Sequence, residues 1–298
     1  MKIDLHIHSN YSDGVLSVFQ IIDEAVKNKV QIISITDHDS IKGYSKKLFD
    51  YAKEKNITLI PGVEISTKYQ GFGVHILGYN IDLNNEKLNN LLENSQKNRI
   101  DYLENVANKL RNFGYEINTH KLKELESVTK AHIALDVIKN ENNKELLLSI
   151  FGKIPNKGLF IETLLNENCP CYVKKESISP KEVSLVIKNA GGLVFIAHPV
   201  AYHYEDNVNE ETILKLAKEI NADGIETGYV YITKNNEVVN ESKHWQKFAN
   251  ENNLLTSIGS DFHKEDGLHP TIGLNDYKFE NIDVKVLCQI VLVDNNFW

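Results

Sequence analysis

Lys2-Ile3-Asp4-Leu5-His6-Ile7-His8 and Ile32-Ile33-Ser34-Ile35-Thr36 are short apolar runs separated by a segment near Val18 to Lys29 whose apolar residues recur at helical spacing. Strand, helix and strand in that order form one turn of a βα repeat. The alternation continues with a helix near Lys42 to Lys55 and strands at Thr58 to Glu64 and Val74 to Tyr79. A chain that begins this way builds a parallel sheet or barrel.

From about Asp82 to Lys175 the pattern changes. Lysine- and asparagine-rich segments carry helical triplets such as Leu88-Leu91-Leu92 and Leu103-Val106-Leu110, with few strand-like runs. The alternation then resumes. Ser179-Pro180, a cap followed by proline at the first helical position, opens a helix to Ala190. Strand Leu193 to Ala197, helix Glu211 to Ile220, strand Gly224 to Glu226, helix Asn240 to Asn252 and strand Leu254 to Ile258 follow. The reading is an α/β domain of about seven strands, all parallel or nearly so, over residues 1–81 and 176–298. A helical insertion occupies residues 82–175 and is expected to cap the substrate.

The 298 residues, 42% of them hydrophobic, suffice for a sizeable core. No apolar stretch is long enough to span a bilayer, and the first residues lack the basic head and apolar run of a signal peptide, so a cytoplasmic protein without membrane contact is expected. Cys169, Cys171 and Cys288 are an odd number in a large chain, which argues against a disulfide framework, and the one-residue gap between the first two is shorter than in ordinary zinc pairs. A net charge of −8 excludes a long basic track for nucleic acid but leaves room for a nucleotide-sized ligand. Arg99 and Arg111 are the only arginines. Two-armed phosphate clamps are therefore scarce, and metal ions are the obvious alternative source of positive charge.

The side chains suited to hold such ions fall at the carboxyl ends of the expected strands, where parallel barrels place their sites. His6 and His8 close the first strand, Asp37 and His38 the second and Glu64 the third; His75 begins the fourth, His198 ends a later one, and Asp261 and His263 follow the last, while Asp13 lies in the first loop. Two residues apart on a strand, His6 and His8 project to one side and can grip one ion; Asp261 and His263 repeat the spacing with a carboxylate. Mixed imidazole and carboxylate donors suit zinc, manganese or iron.

The motifs Asp4-Leu5-His6-Ile7-His8-Ser9 with Ser12-Asp13-Gly14, Ile35-Thr36-Asp37-His38-Asp39, Pro61-Gly62-Val63-Glu64-Ile65-Ser66, Ala197-His198-Pro199 and Gly259-Ser260-Asp261-Phe262-His263 resemble, in order, those of the PHP (polymerase and histidinol phosphatase) superfamily. The nearest branch is the stand-alone bacterial phosphoesterases acting on nucleotides or short RNA. The resemblance implies a distorted seven-stranded (β/α) barrel with a small helical insertion. It implies three divalent ions: one on His6, His8, Glu64 and Asp261, a second shared through Glu64 with His75 and His198, and a third on Asp13, His38 and His263. Magnesium joins the possible metals. Three such ions would leave the nine-residue set positive and suited to a phosphate dianion.

The expected function is hydrolysis of phosphate esters of small nucleotides or short 5'-phosphorylated RNA by metal-bound hydroxide, with no covalent serine or cysteine intermediate. Histidinol phosphatase is the enzymatic alternative; a non-catalytic metal-binding module is the other, and the complete ligand set counts against it. A proofreading exonuclease is disfavoured by the acidic surface. His203 and His269 stand near His198 and His263, either to contact substrate or protonate the leaving group, or as surface histidines. Asp37 and Asp39 either orient a ligand or cap a helix at Ser40, and Asp4 is a candidate partner for a ligating imidazole. His120 and His244 read as solvent-facing. In the insertion Lys130 and His132 are candidate substrate contacts by resemblance, with Lys130, Leu135 and Ala201 standing where the branch has arginines. Lysine keeps a point charge but loses the two-armed clamp.

Overall fold

The computed structural model describes residues 2–123, 125, 128–174, 176–233, 235–274 and 277. Its elements begin with β1 (Ile3–Ile7), α1 (Val18–Lys27), β2 (Ile32–Ile35), α2 (Lys46–Glu54), β3 (Thr58–Tyr69), β4 (Phe72–Tyr79) and α3 (Glu86–Asn112). The helices α4 (Thr119–Lys123), α5 (Lys130–Lys139), α6 (Lys144–Phe151) and α7 (Lys157–Phe160) follow. The chain continues with α8 (Pro180–Asn189), β5 (Leu193–Ile196), α9 (Pro199–Asp206), α10 (Glu210–Glu219), β6 (Gly224–Gly228), β7 (Tyr231–Ile232), β8 (Val238–Val239), α11 (Ser242–Glu251) and β9 (Leu255–Ile258). Among the described residues no helix is long and apolar enough to cross a membrane.

Two compact units result, one of residues up to Leu92 and from Ser177 onward, the other of Glu93–Glu176. The first is built on a seven-stranded sheet ordered β1-β2-β3-β4-β5-β6-β9. Its two outer strands meet: Asp261 N donates to His6 O (2.8 Å) and His8 N to Phe262 O (2.9 Å), so the segment after β9 closes on β1 as in a distorted barrel. Inside lie Leu5, Ile60, Leu77, Tyr79, Phe195 and Ala197, and the helices pack outside on residues such as Ile21, Ile22, Leu48, Val183, Ile187 and Leu216.

Six of the seven strands run parallel, and one departs from that direction. β4 runs antiparallel to both β3 and β5. The cause is local: β3 extends to Tyr69 and turns over two residues, Gln70 at φ 46° and Gly71 at φ 103°, straight into Phe72. Positive φ at both turn residues matches strand twist and makes a tight hairpin. Two helix expectations also change. α2 starts at Lys46, capped by Ser45, whose hydroxyl accepts from Leu48 N, and α9 stands where no helix was expected. The cap expected at Ser179 is present, with Pro180 opening α8.

The second unit is helical among its described residues, and its core joins Leu103, Val106, Leu110, Tyr115, Ile133, Val137, Leu147 and Phe160. Buried Asn143 ties three backbone groups there, accepting from Glu116 N (2.7 Å) and donating to Glu116 O (2.8 Å) and Val137 O (2.9 Å). Cys169 and buried Cys171 are free thiols in this unit; Cys288 lies outside the described residues.

Candidate metal centre

Period-two alternation turns His6 and His8 to the same side of the first strand, and both are buried. The antiparallel course of β4 explains why His75 contributes from the early part of its strand. It pairs with Ser66 of β3, so it lies at the same end of the sheet as the carboxyl ends of the parallel strands. His38, His198, Asp261 and His263 arrive from the segments that follow β2, β5 and β9 and Asp13 from the first loop, whereas Glu64, expected to close the third strand, lies in the middle of β3 because that strand continues to Tyr69.

The arrangement centres on Glu64. Its Oε1 is 2.9 Å from His75 Nδ1 and 3.2 Å from His198 Nε2; its Oε2 is 2.9 Å from His38 Nδ1 and 3.3 Å from both His6 Nε2 and His8 Nε2. Asp261 Oδ1 lies 3.3 Å from His6 Nε2 and 3.1 Å from His8 Nε2, and those two nitrogens are 3.1 Å apart. Asp13 Oδ1 is 3.2 Å from His263 Nε2 and 3.7 Å from His8 Nδ1, with His38 Nε2 3.8 Å from Asp13 Oδ2. Among the described residues three groups could hold an ion: His6, His8 and Asp261; His38, Glu64 and His75; and His8, Asp13, His38 and His263.

The donor set fits divalent cations. His6 Nε2, His8 Nε2 and Asp261 Oδ1 lie 3.1 to 3.3 Å from one another, a spacing at which the three can share an ion ~2 Å from each, the ordinary length of a metal–nitrogen or metal–oxygen bond. Asp13 Oδ1, His38 Nδ1, Glu64 Oε2 and His198 Nδ1 are buried without a hydrogen-bond partner, a costly condition for polar atoms unless something else satisfies them. Without ions, protons take that part. Burial alone would lower the His8 pKa, but Asp261 and Glu64 outweigh it and raise it to about 10. His6 moves up likewise, against burial, through Glu226, Glu64 and Asp261. Burial prevails at His38, which falls to about 4 despite Glu64. Burial would raise Glu64 and Asp261, yet the surrounding imidazoles hold both well below the usual carboxylate range.

A ring of groups fixes these side chains. Glu226, buried in β6, places Oε1 and Oε2 at 3.1 and 3.2 Å from His6 Nδ1, and its Oε2 accepts from His198 N (2.9 Å). It was not singled out from the sequence, although a carboxylate ending a buried strand carries the same positional signal as the others. Tyr229 OH donates to Asp261 Oδ2 (3.3 Å). Asp37 accepts from Ser9 N (2.7 Å), Ser9 Oγ (2.6 Å) and Ser12 Oγ (2.7 Å), and Asp39 accepts from Ser66 N (3.2 Å). Both tie the loops around His38, which corrects the helix-cap reading, since α2 begins after Ser45. Asp4 accepts from the backbone N–H groups of His6, Ser260 and Gly273 rather than from an imidazole. Asp39, His198 and Asp261 hold φ of 48°, 26° and 52°, left-handed conformations that side chains rarely adopt. At Gly259 the backbone passes so close that a Cβ would fall on His6 Cβ and 2.6 Å from Glu226 Oε1.

The remaining candidates separate. His269 shares a cavity with Asp261 and His263, whereas His203 directs Nδ1 to Val208 O (3.1 Å) and lines a groove with Glu210, Glu241 and His244. Exposed His244 pairs with Glu210 (2.8 Å), and His120 is exposed. Lys130 donates to Asn166 Oδ1 (2.9 Å), and His132 completes the capping box of α5 with Thr129. Both belong to the second unit.

A family model, the PHP domain, matches residues 4–164, and a 5'-3' exoribonuclease of Haemophilus influenzae is 33% identical over 267 residues, covering 88% of this chain and 90% of the relative. The chain belongs to the PHP domain family. A 3',5'-nucleoside bisphosphate phosphatase of Chromobacterium violaceum is 26% identical over 266 residues, covering 88% of this chain and 87% of the relative. A crystal structure of a Bifidobacterium adolescentis protein superposes with a TM-score of 0.71 at 20% identity, covering 98% of this chain and 97% of that one, a likeness of fold.

Proposed function

We propose that this PHP protein is a metal-dependent phosphoesterase that hydrolyses phosphate esters of small nucleotides or short 5'-phosphorylated RNA. The observation that carries the reading is Glu64, whose two buried oxygens lie within 3.3 Å of five imidazoles. In this reading His6, His8, Asp261 and Glu64 Oε2 hold one divalent ion, Glu64 Oε1, His75 and His198 a second, and Asp13, His38 and His263 a third. Donors this rich in imidazole favour manganese, iron or zinc over magnesium. Bound ions supply Lewis acidity toward a phosphoryl group and lower the pKa of water.

The chain's own part is to aim and hold the donors. Glu226 accepts the proton on His6 Nδ1, which leaves the Nε2 lone pair facing His8, Glu64 and Asp261. Asp37, Asp39 and Asp4 lock the loops that carry His8, His38 and Asp261. The H. influenzae and C. violaceum relatives, named for an RNA and a nucleotide substrate, support the substrate class.

The test is turnover by manganese-loaded protein of a nucleoside 3',5'-bisphosphate, a nucleoside 5'-monophosphate, a short 5'-phosphorylated RNA, histidinol phosphate and an aryl phosphodiester, with Asp261→Asn as control. Hydrolysis of a nucleotide or RNA that the control loses supports the reading. Preference for histidinol phosphate, or no turnover above the control with manganese, iron or zinc, rejects it.

A further inference from the structure

A cavity of about 260 Å³ adjoins the metal centre, lined among others by Tyr229, Asp261, His263, Lys264, Asp266 and His269. Asp261 and His263 belong to the donor set. The other polar groups carry charge that the donor set does not use. The Asp266 carboxylate is committed within its own loop: Oδ1 accepts from Leu268 N and His269 N, both at 3.0 Å, and Oδ2 lies 2.8 Å from His269 Nδ1. That contact fixes the His269 ring within the same loop. Lys264 is exposed, and among the described residues no carboxylate forms an ion pair with it.

We propose that Lys264 is a specificity residue that binds an anionic group of the substrate other than the phosphate being hydrolysed. The inference rests on the phosphoesterase reading above. An unpaired ammonium beside a cavity whose two carboxylates are already engaged, Asp261 with the imidazoles and Asp266 within its own loop, attracts an anion, and a charge-assisted hydrogen bond to phosphate is roughly twice as strong as a neutral one. The size of the cavity limits what enters. At about 260 Å³ it falls below the ~300–1,000 Å³ of pockets that enclose whole drug-sized ligands, so it takes a phosphorylated fragment of a substrate whose ester lies at the metals. Tyr229, held by its hydroxyl on Asp261, forms part of the cavity wall.

The experiment compares two substrates with the same scissile ester, a nucleoside 3',5'-bisphosphate and the nucleoside 3'-monophosphate, on metal-loaded wild type, Lys264→Gln and Lys264→Arg. The ratio of kcat/KM for the first over the second should fall about tenfold or more in Lys264→Gln, as expected for one lost charged hydrogen bond, and largely return in Lys264→Arg. Calorimetric titration of a nucleoside 5'-monophosphate should show binding to the metal-loaded protein weakened about tenfold by Lys264→Gln. An unchanged ratio, equal affinity in wild type and variant, or no binding by wild type overturns the assignment. If wild type turns over neither substrate, the phosphoesterase reading fails, and the titration still decides the role of Lys264.

Discussion

Glu226 faces two of the proposed ligands at once, His6 through the ring and His198 through the backbone. A buried carboxylate against Nδ1 fixes the tautomer of a metal-binding histidine and raises its basicity, and losing such a partner typically lowers metal affinity 10- to 100-fold. Glu226→Gln keeps the shape of the side chain and removes the charge. Its affinity for the first ion, measured by competition with a chelator, should fall by about that 10- to 100-fold factor while the fold persists. Affinity equal to wild type would reduce Glu226 to a support for the β5–α9 backbone. The nine donors were legible because each falls at or near the end of an apolar run or in the first loop. Glu226 obeys the same rule, yet it sits inside a short run, Gly224-Ile225-Glu226, that reads only as a strand. Nothing in the sequence announced the left-handed backbone of His198, because the following Pro199 signals a loop as readily as the start of α9.

Elements came through where periodicity was long and failed where direction mattered. Apolar spacing located α1, α8, α10 and α11 within a few residues, since their buried faces recur at helical intervals. Strand direction is not encoded in an apolar run. The β3–β4 reversal depends on Gln70 and Gly71, a two-residue signal between alternating stretches that were read as separate strands. This turn places His75 beside Glu64, so it links local backbone chemistry to the metal centre. Gly71 holds φ at 103° and a Cβ there would meet nothing within 4 Å, so the cost of Gly71→Ala is conformational only. Urea unfolding should show a loss of about 1–2 kcal/mol, the ordinary penalty for a side chain in a left-handed conformation. A change within experimental error would mean that the hairpin adopts another turn at no cost.

For the whole molecule, the donor set and the fold depend on one another. Nine titratable side chains, four of them buried and five partly buried, meet at one end of the sheet, and the metal-free protein balances its carboxylates with protons on His8 and His6. A histidine raised from ~6.5 in the unfolded chain to about 10 in the folded one stabilises the fold fully below pH 6.5. That contribution disappears as pH rises toward 10. His38, lowered to about 4, acts in the opposite sense: its stabilising contribution, present above 6.5, is lost as pH falls toward 4. The metal-free protein should therefore have a Tm that falls on both sides of a maximum near neutrality. Divalent ions replace those protons, so filling the centre at pH 7 should release the protons on His6 and His8, about two in all, with affinity rising as pH rises. Calorimetry of metal binding in buffers of different ionisation enthalpy measures that release. Saturation a hundredfold above Kd adds about 2.7 kcal/mol per independent ion, and it should flatten the alkaline limb of the Tm profile because His8 no longer needs its proton. Binding without proton release, or an alkaline limb as steep with metal as without it, would show that the buried imidazoles are not the groups the ions occupy.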